Sequence, residues 1–353
     1  MFIALMLGVG LLSWWLANHL SRRGFFLFLL DHPNKRSLHE VPVPRGGGIA
    51  VLTSMLCGLI AASAMGVLVV MGDTPVSWWS ETTGWIVGLT MLLGFVSFLD
   101  DQQGIPIVIR LGCQLAAASL LVAVGGLLFS SFTVPLLGAI ELRWLGVPLT
   151  ILFLVWFTNL YNFMDGMDGF AGGMTVIGCG LLGYLGWQAH HPVIFVVATL
   201  QSAAAAGFLV HNFPPAKIFM GDVGSVSTGF LTAALIALGC RDEVFDLWVP
   251  LIIFSPFILD ATVTLAQRVL HHEKAWEAHR DHYYQRLVLS GWGHRRTVLA
   301  EYGVMALCGG LAVLYQEASD EWRLVILGLW GVLFLSLALA VKGVEQRVQP
   351  VGS

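Results

Sequence analysis

Charge is the scarcest property of this sequence. Only 11% of its residues are Asp, Glu, Lys or Arg, where a soluble domain carries roughly a quarter, and no long acidic or basic run gathers them. That argues against a polyanion-binding surface of the nucleic-acid type, so an anionic ligand has to be met by local groups. Cysteine is sparse as well. Cys57, Cys113, Cys179, Cys240 and Cys308 fall mostly within apolar segments and form no CxxC pair, which argues against disulfide or zinc roles and leaves them as small packing residues. The first apolar stretch, residues 1–20, lacks a basic region before it and is followed by Arg22 and Arg23 rather than a small-residue cleavage site. It reads as a retained membrane span.

What the chain has in abundance is apolar surface: 57% of its residues are hydrophobic and its mean hydropathy is +0.78. Stretches near the length needed to cross about 30 Å of hydrocarbon fall at residues 1–20, 46–71, 83–99, 106–126, 147–164, 169–188, 192–211, 223–240, 247–269, 297–315 and 322–341. The expectation is an all-α integral membrane protein, a single domain over 1–353, with about eleven transmembrane helices or ten. No separate soluble domain and no clear internal repeat interrupts it. Residues 132–146 are too polar for a span and, with Gly138 between apolar runs, suggest a small hairpin.

An odd number of spans puts the termini on opposite sides, and the Lys/Arg bias selects the orientation. With the N-terminus periplasmic, Arg22, Arg23, Lys35, Arg36, Arg45, Lys217, Arg268, Lys274, Arg280, Arg286, Arg295, Arg296, Lys342 and Arg347 become cytoplasmic, and Arg143, Arg241 and Arg323 fall outside. Arg110, near the start of the fourth span, is then placed to snorkel to the cytoplasmic surface.

Five polar clusters share that cytoplasmic side: residues 31–48, Asp100-Asp101, residues 159–173, residues 211–225 and residues 271–296. Asp100 and Asp101 directly follow an apolar run, where an unpaired charge is expensive, so a cation is expected beside them. Asn159, Asn162, Asp165 and Asp168 recur every three residues, a spacing that on a helical end would align their oxygens on one face, and such oxygens suit Mg²⁺. Gly221-Asp222-Val223-Gly224-Ser225 sets a carboxylate beside free backbone N–H groups at the start of a span, which suits phosphate. His279, Arg280 and His282, with Arg286, form a basic loop suited to neutralising a diphosphate. Asp260, inside the ninth stretch, should face the bundle interior or a wet cavity; ligand contact and structural pairing are both open for it.

These residues carry a resemblance to the polyprenyl-phosphate N-acetylhexosamine-1-phosphate transferases. It spans nearly the whole chain and rests on five ordered motifs: DHPNKRSLHEVPVPRGGG at 31–48, FLDD at 98–101, NLYNFMDGMDGFAGG at 159–173, FPPAKIFMGDVGS at 213–225 and HRDHYYQRL at 279–287. The resemblance implies a helical bundle around a cytoplasmic-face cleft in the bacterial inner membrane. It also implies a UDP-N-acetylhexosamine donor, a polyprenyl (undecaprenyl) phosphate acceptor, and Mg²⁺ or in its place Mn²⁺. A homodimer is left open, and no nucleic-acid partner is expected.

Carried over residue by residue, the resemblance makes Asp222 a metal ligand, stacks Phe219 on uracil, brings Asn212 near the nucleoside, and lines the nucleotide pocket with Asn162 and Asp165. Asp100 is often cast as a base in similar enzymes, with Asp101 as its neighbour; orienting the acceptor or binding metal fits it equally. The expected catalytic set is therefore Asp100, Asp101 and Asp222, and the expected substrate-binding set is Asn162, Asp165, Asp168, Asn212, Phe219, His279, Arg280 and His282. The run His279-Arg280-Asp281-His282 departs from the three histidines of the peptidoglycan branch. The tail is more similar to the O-antigen branch, whose donors are UDP-GlcNAc or 6-deoxy relatives such as UDP-FucNAc and UDP-QuiNAc. Rival readings are a phospho-MurNAc-pentapeptide transferase, a CDP-alcohol phosphotransferase, which needs an Ala-Arg pair absent from 165–173, and a transporter, which would place its polar site near the midplane.

Overall fold

Backbone in hydrocarbon has to satisfy its own N–H and C=O groups, and a helix does so within one segment. The computed structural model follows that rule. It describes residues 1–22, 30, 31, 33, 38, 41–65, 69–71, 74–273 and 279–348; Arg23, Lys35, Arg36 and Lys274, which enter the charge-bias argument, lie outside the described residues. In chain order the helices are α1 (Phe2–Leu20), α2 (Gly47–Ala64), α3 (Glu81–Gln103), α4 (Ile107–Ala123), α5 (Gly146–Met164), α6 (Phe170–Gln188) and α7 (Pro192–Asn212). They continue with α8 (Gly221–Arg241), α9 (Trp248–Ile253), α10 (Ser255–Leu270), α11 (Tyr283–Leu287), α12 (Gly293–Glu317) and α13 (Asp320–Val348). Among the described residues, sheet is confined to three small antiparallel pairs: β1 (Leu30–Asp31) with β2 (Val43–Pro44), β3 (Val69–Met71) with β4 (Thr74–Val76), and β5 (Ser131–Val134) with β6 (Gly138–Glu141). The last is the hairpin that Gly138 signals, registered Ser131 to Glu141 and Val134 to Gly138.

Nine helical segments among the described residues are long and apolar enough to cross a membrane, against the eleven expected. The fourth expected span, α4, has 17 residues. The ninth is broken in two, and proline explains the break. Pro256 has no N–H for the carbonyl of Ile252 four residues earlier and crowds it; α9 ends at Ile253, and the Ser255 hydroxyl donates to the Ile252 carbonyl at 2.7 Å in the missing donor's place. The second span also stops short of the expected residue 71, since α2 ends at Ala64.

At the centre of the bundle stands α8, 94% buried over its span, whereas α13 at the edge is 11% buried. Small residues let α8 occupy that place. A Cβ on Gly48 of α2 would lie 2.1 Å from the Gly224 nitrogen, and a Cβ on Gly229 would lie 2.7 Å from the Tyr161 Cβ of α5. With α2, α3 and α5 all packed on α8, the ends of these helices are brought together, and the polar clusters ride on those ends.

Candidate active site

The last turn of α3 carries Asp100 and Asp101. Gly104, at φ +69°, takes the left-handed conformation that closes a helix, and its N–H bonds the Asp100 carbonyl at 2.8 Å. The chain then turns through Ile105 and Pro106 into α4, which puts Arg110 in the first turn of that helix. Asp222 stands in the first turn of α8, after Gly221 at φ +70°, where the helix dipole favours a carboxylate.

One guanidinium joins these three turns. Arg110 Nη1 donates to Asp100 Oδ2 at 2.6 Å and to Asp222 Oδ2 at 3.0 Å. The other oxygen of Asp100 accepts the Ile105 N–H at 2.6 Å. Arg110 thus has a specific double partner in place of the snorkelling role its position suggests. The missed signal is that a cation at the hydrocarbon boundary, ten residues after a carboxylate pair, calls for a partner.

A second guanidinium serves Asp101. Arg45 Nη1 lies 3.2 Å from Asp101 Oδ1, and Nη2 donates to the Asp101 carbonyl. Arg45 is held there by the glycines that follow it: Gly47 and Gly48 donate to the Phe219 and Met220 carbonyls at 2.9 and 2.8 Å, and Phe219 N–H donates to Pro44 at 2.7 Å. A Cβ on Gly47 would fall 2.6 Å from the Phe219 oxygen, so this docking needs glycine. It also fixes the backbone beneath the partly exposed Phe219 ring.

Of the residues spaced by three, two reach the centre. Asn162 donates to Asp222 Oδ1 at 3.0 Å and to Ser225 Oγ at 2.9 Å. Asp165, just past α5, accepts the Gly221 N–H. Burial and then the Asp222 carboxylate push its carboxyl well above the usual range, with the fields of Asp31 and Asp101 adding to them and the Gly221 bond opposing. Asn159 and Asp168 point elsewhere: Asp168 lies beyond α5, which ends at Met164 and takes the helical periodicity with it, whereas Asn159, still inside α5, turns toward α4. Asn159 donates to Gln114 on α4 at 2.6 Å. Asp168 accepts the Ala216 N–H at 2.9 Å and lies 3.1 Å from His294 Nδ1. Asn212 is likewise committed to the scaffold, accepting from Gly169 N–H at 3.0 Å and donating to the Ile218 carbonyl at 2.9 Å; it braces the segment leading to Phe219.

The loop entering α11 is tied to α10 at two points. His282 and the N–H groups of Tyr283 and Tyr284 bond Asp260, and Asp281 pairs with Arg268. Burial, then His282 and Arg268, pull the His279 imidazole below its ordinary value, with Asp281 and Glu273 opposing. Among the described residues of this loop, Arg280 carries the permanent positive charge. Arg286 turns away from the cluster to a two-pronged pair with Glu345, at 2.6 Å for each bond. Tyr284 seats α11 on the Asp165–Gly166 turn, its hydroxyl donating to the Phe163 carbonyl at 3.4 Å.

Asp100, Asp101 and Asp222 thus face the guanidinium groups of Arg45 and Arg110, three carboxylates to two cations, with Asp165 beside Asp222. Asp101 Oδ2 is buried with no hydrogen-bond partner among the described residues, on a side chain 3% exposed. Among the described residues no three His, Cys, Asp or Glu side chains form a group that could by itself hold a metal ion. Such a set suits Mg²⁺, which takes one or two carboxylates and fills its shell with water and substrate phosphate, and it does not suit zinc. The other end of α5 offers no such chemistry: a cavity of about 600 Å³ there is lined by Phe129, Phe132, Leu149, Phe153, Trp156 and other uncharged residues.

Residues 83–239 match the model of glycosyl transferase family 4. The chain is 30% identical over 327 residues to a probable undecaprenyl-phosphate N-acetylglucosaminyl 1-phosphate transferase of Bacillus subtilis, covering 91% of this chain and 87% of that one. It is 30% identical over 317 residues to a decaprenyl-phosphate N-acetylglucosaminephosphotransferase of Mycobacterium tuberculosis, covering 81% and 76%. It is 34% identical over 239 residues to a phospho-N-acetylmuramoyl-pentapeptide-transferase of a Synechococcus species, covering 63% and 68%.

Proposed function

Since the chain belongs to the polyprenyl-phosphate hexosamine-1-phosphate transferase family, we propose that it moves N-acetylhexosamine 1-phosphate from a UDP-sugar to undecaprenyl phosphate, releasing UMP. The observation that carries this reading is the convergence of Asp100, Asp222, Asn162 and Arg110 at the ends of four helices of the bundle. The convergence also weighs against a transporter, whose polar site belongs near the midplane. The preferred donors are UDP-GlcNAc and its 6-deoxy relatives UDP-FucNAc and UDP-QuiNAc, as the first committed step of O-antigen or related envelope polysaccharide synthesis. The Lys/Arg bias places the site on the cytoplasmic face of the inner membrane.

The physical problem is to bring two anions into line. Arg110 and Arg280 lower their repulsion, and Phe219 holds the base of the nucleotide by stacking. Asp222, with Asp101 and Asp100 beside it, would hold Mg²⁺, which when bound supplies positive charge to the donor diphosphate. An oxygen of the lipid phosphate attacks the phosphorus that bears the sugar. The bond from that phosphorus to the UMP oxygen breaks, and UMP leaves with the electron pair. The lipid phosphate has its second pKa near 6 and is largely a dianion at neutral pH, so no strong base is needed. Asp100 then serves to hold Arg110 and the Ile105 turn in place for the acceptor.

The test is purified protein given Mg²⁺, undecaprenyl or decaprenyl phosphate, and a panel of UDP-sugars. The expected result is a lipid-linked sugar with UMP released from one N-acetylhexosamine donor. Turnover of UDP-MurNAc-pentapeptide alone would move the chain to the peptidoglycan branch, and no turnover with any donor would overturn the reading.

A further inference from the structure

The transfer reaction as derived leaves one buried carboxylate without a task. Asp260 lies on α10, 9% exposed, and both its oxygens are engaged. Oδ1 accepts from His282 Nδ1 at 3.1 Å, from Tyr283 N–H at 2.9 Å and from the Thr264 hydroxyl at 3.3 Å; Oδ2 accepts from Tyr284 N–H at 3.1 Å. Three of these four donors belong to the start of α11. That helix has five residues and no side-chain cap of its own, and a single turn does not hold itself together in isolation. Asp260 supplies from a neighbouring helix the acceptors that the first N–H groups of α11 lack.

The opposite side of α11 meets the catalytic turn. The Tyr284 ring is fully buried, 4.9 Å from Phe170 between centroids. Its hydroxyl sits where a Cβ on Gly166 would come within 2.2 Å, next to Asp165. The His282 ring lies between His279, at 4.8 Å, and Tyr284, at 5.8 Å. A carboxylate on Nδ1 selects the tautomer with the proton there and fixes the plane of the ring. Nε2 is then held in one direction.

We propose that Asp260 is a positioning residue for the transfer, acting through His282: it locks the imidazole and the first turn of α11 against the Asp165–Gly166 turn, which sets the His279–Arg280 edge toward the donor. This rests on the reading of the His279–His282 loop as donor-binding. The Asp260 carboxylate makes the bonds from Thr264 and the two backbone N–H groups charge-assisted, so a neutral residue of equal size should loosen the set without leaving a cavity.

The test is a double-mutant cycle in the full-length protein, with Asp260→Asn, His282→Asn and the pair, reading kcat and KM for the UDP-sugar and the Kd of UMP. Each single change is expected to lower kcat/KM for the donor at least tenfold. The pair should be no more than about threefold worse than the worse single, because both remove one arrangement. The Kd of UMP should stay within about twofold, since the Phe219 segment is braced by Asn212 and not by α11. Effects that multiply in the pair, or wild-type kinetics in Asp260→Asn, overturn the proposal. If the wild type transfers and His282→Asn is fully active, the proposal is overturned together with the donor-binding reading of the loop, whereas a wild type that transfers nothing overturns the proposed function. Should Asp260→Asn not fold, Asp260→Glu keeps the charge and serves as the second variant; it must be non-additive with His282→Asn in the same way, and multiplicative losses overturn the proposal.

Discussion

Arg110 on α4 and Asp222 on α8 stand 112 positions apart in the sequence and meet at 3.0 Å, through the same nitrogen that binds Asp100 at 2.6 Å. A single cation between two carboxylates pairs both acids and still leaves one negative charge in excess. It also means that the donor diphosphate meets a guanidinium already oriented by the protein. Arg110→Met is expected to lower kcat/KM at least tenfold. Its pair with Asp222 is about one-third exposed on both sides, but Asp100 is only 10% exposed and would be left without its cation, so stability should fall by about 1–3 kcal/mol. Arg110→Lys should retain more activity than Met, because the point charge remains while the fork is lost. Steady-state kinetics with melting curves on the same preparations check both parts, and equal activity in the Lys and Met variants would remove charge as the explanation.

Asp100 accepts from Ile105 N–H and from Arg110 at once, an arrangement suited to holding groups in place. The expectation is that the activity lost in Asp100→Asn stays nearly constant above about pH 7, where the acceptor is already a dianion. A base would behave differently. If Asp100 had to take the proton from the lipid phosphate, the variant would recover as pH rises through the acceptor pKa near 6, where solvent removes that proton. The ratio of wild-type to variant kcat/KM between about pH 5.5 and 9 separates the two, and a ratio falling tenfold per unit below the acceptor pKa would make Asp100 the base.

Phe219 presents its ring from a backbone pinned by Pro44 and Gly47. Phe219→Ala should weaken UMP binding by about 1–3 kcal/mol, the range for a base stacked on an aromatic side chain, with little change in kcat at saturating donor. Calorimetry with UMP measures it, and an unchanged Kd contradicts the stacking role.

The residues legible from sequence were those in motifs whose backbone is itself distinctive. Gly221-Asp222 opens a helix, Asn162 precedes a helix end, and Gly47-Gly48 permit a docking that no other residue fits. Helical periodicity failed for Asp168 because α5 ends at Met164, and Asp168 accepts from Ala216 instead; Asn159, still on the helix, is taken by Gln114 of the neighbouring α4. Pro256 broke the ninth span for a reason visible in sequence, although hydropathy alone reads through it. Arg110 and Asp260 were ambiguous because their partners lie on other helices, and a contact between α4 and α8 or between α10 and α11 depends on packing that a single sequence does not display.

The central claim is that the junction of α3, α4, α5 and α8 carries out the transfer, with Asp222 holding the metal. The most direct measurement is acceptor-dependent UMP release by wild type and Asp222→Asn side by side, with Mg²⁺, with EDTA, and with Mg²⁺ restored. Asp222 touches Arg110 and Asn162, and Asn keeps its size while removing one charge from the site. The account predicts that wild-type release stops with EDTA and returns with Mg²⁺, and that Asp222→Asn, still folded in detergent, releases no UMP in any of the three conditions. UMP release by Asp222→Asn at the wild-type rate, or wild-type release that persists in EDTA, would contradict it.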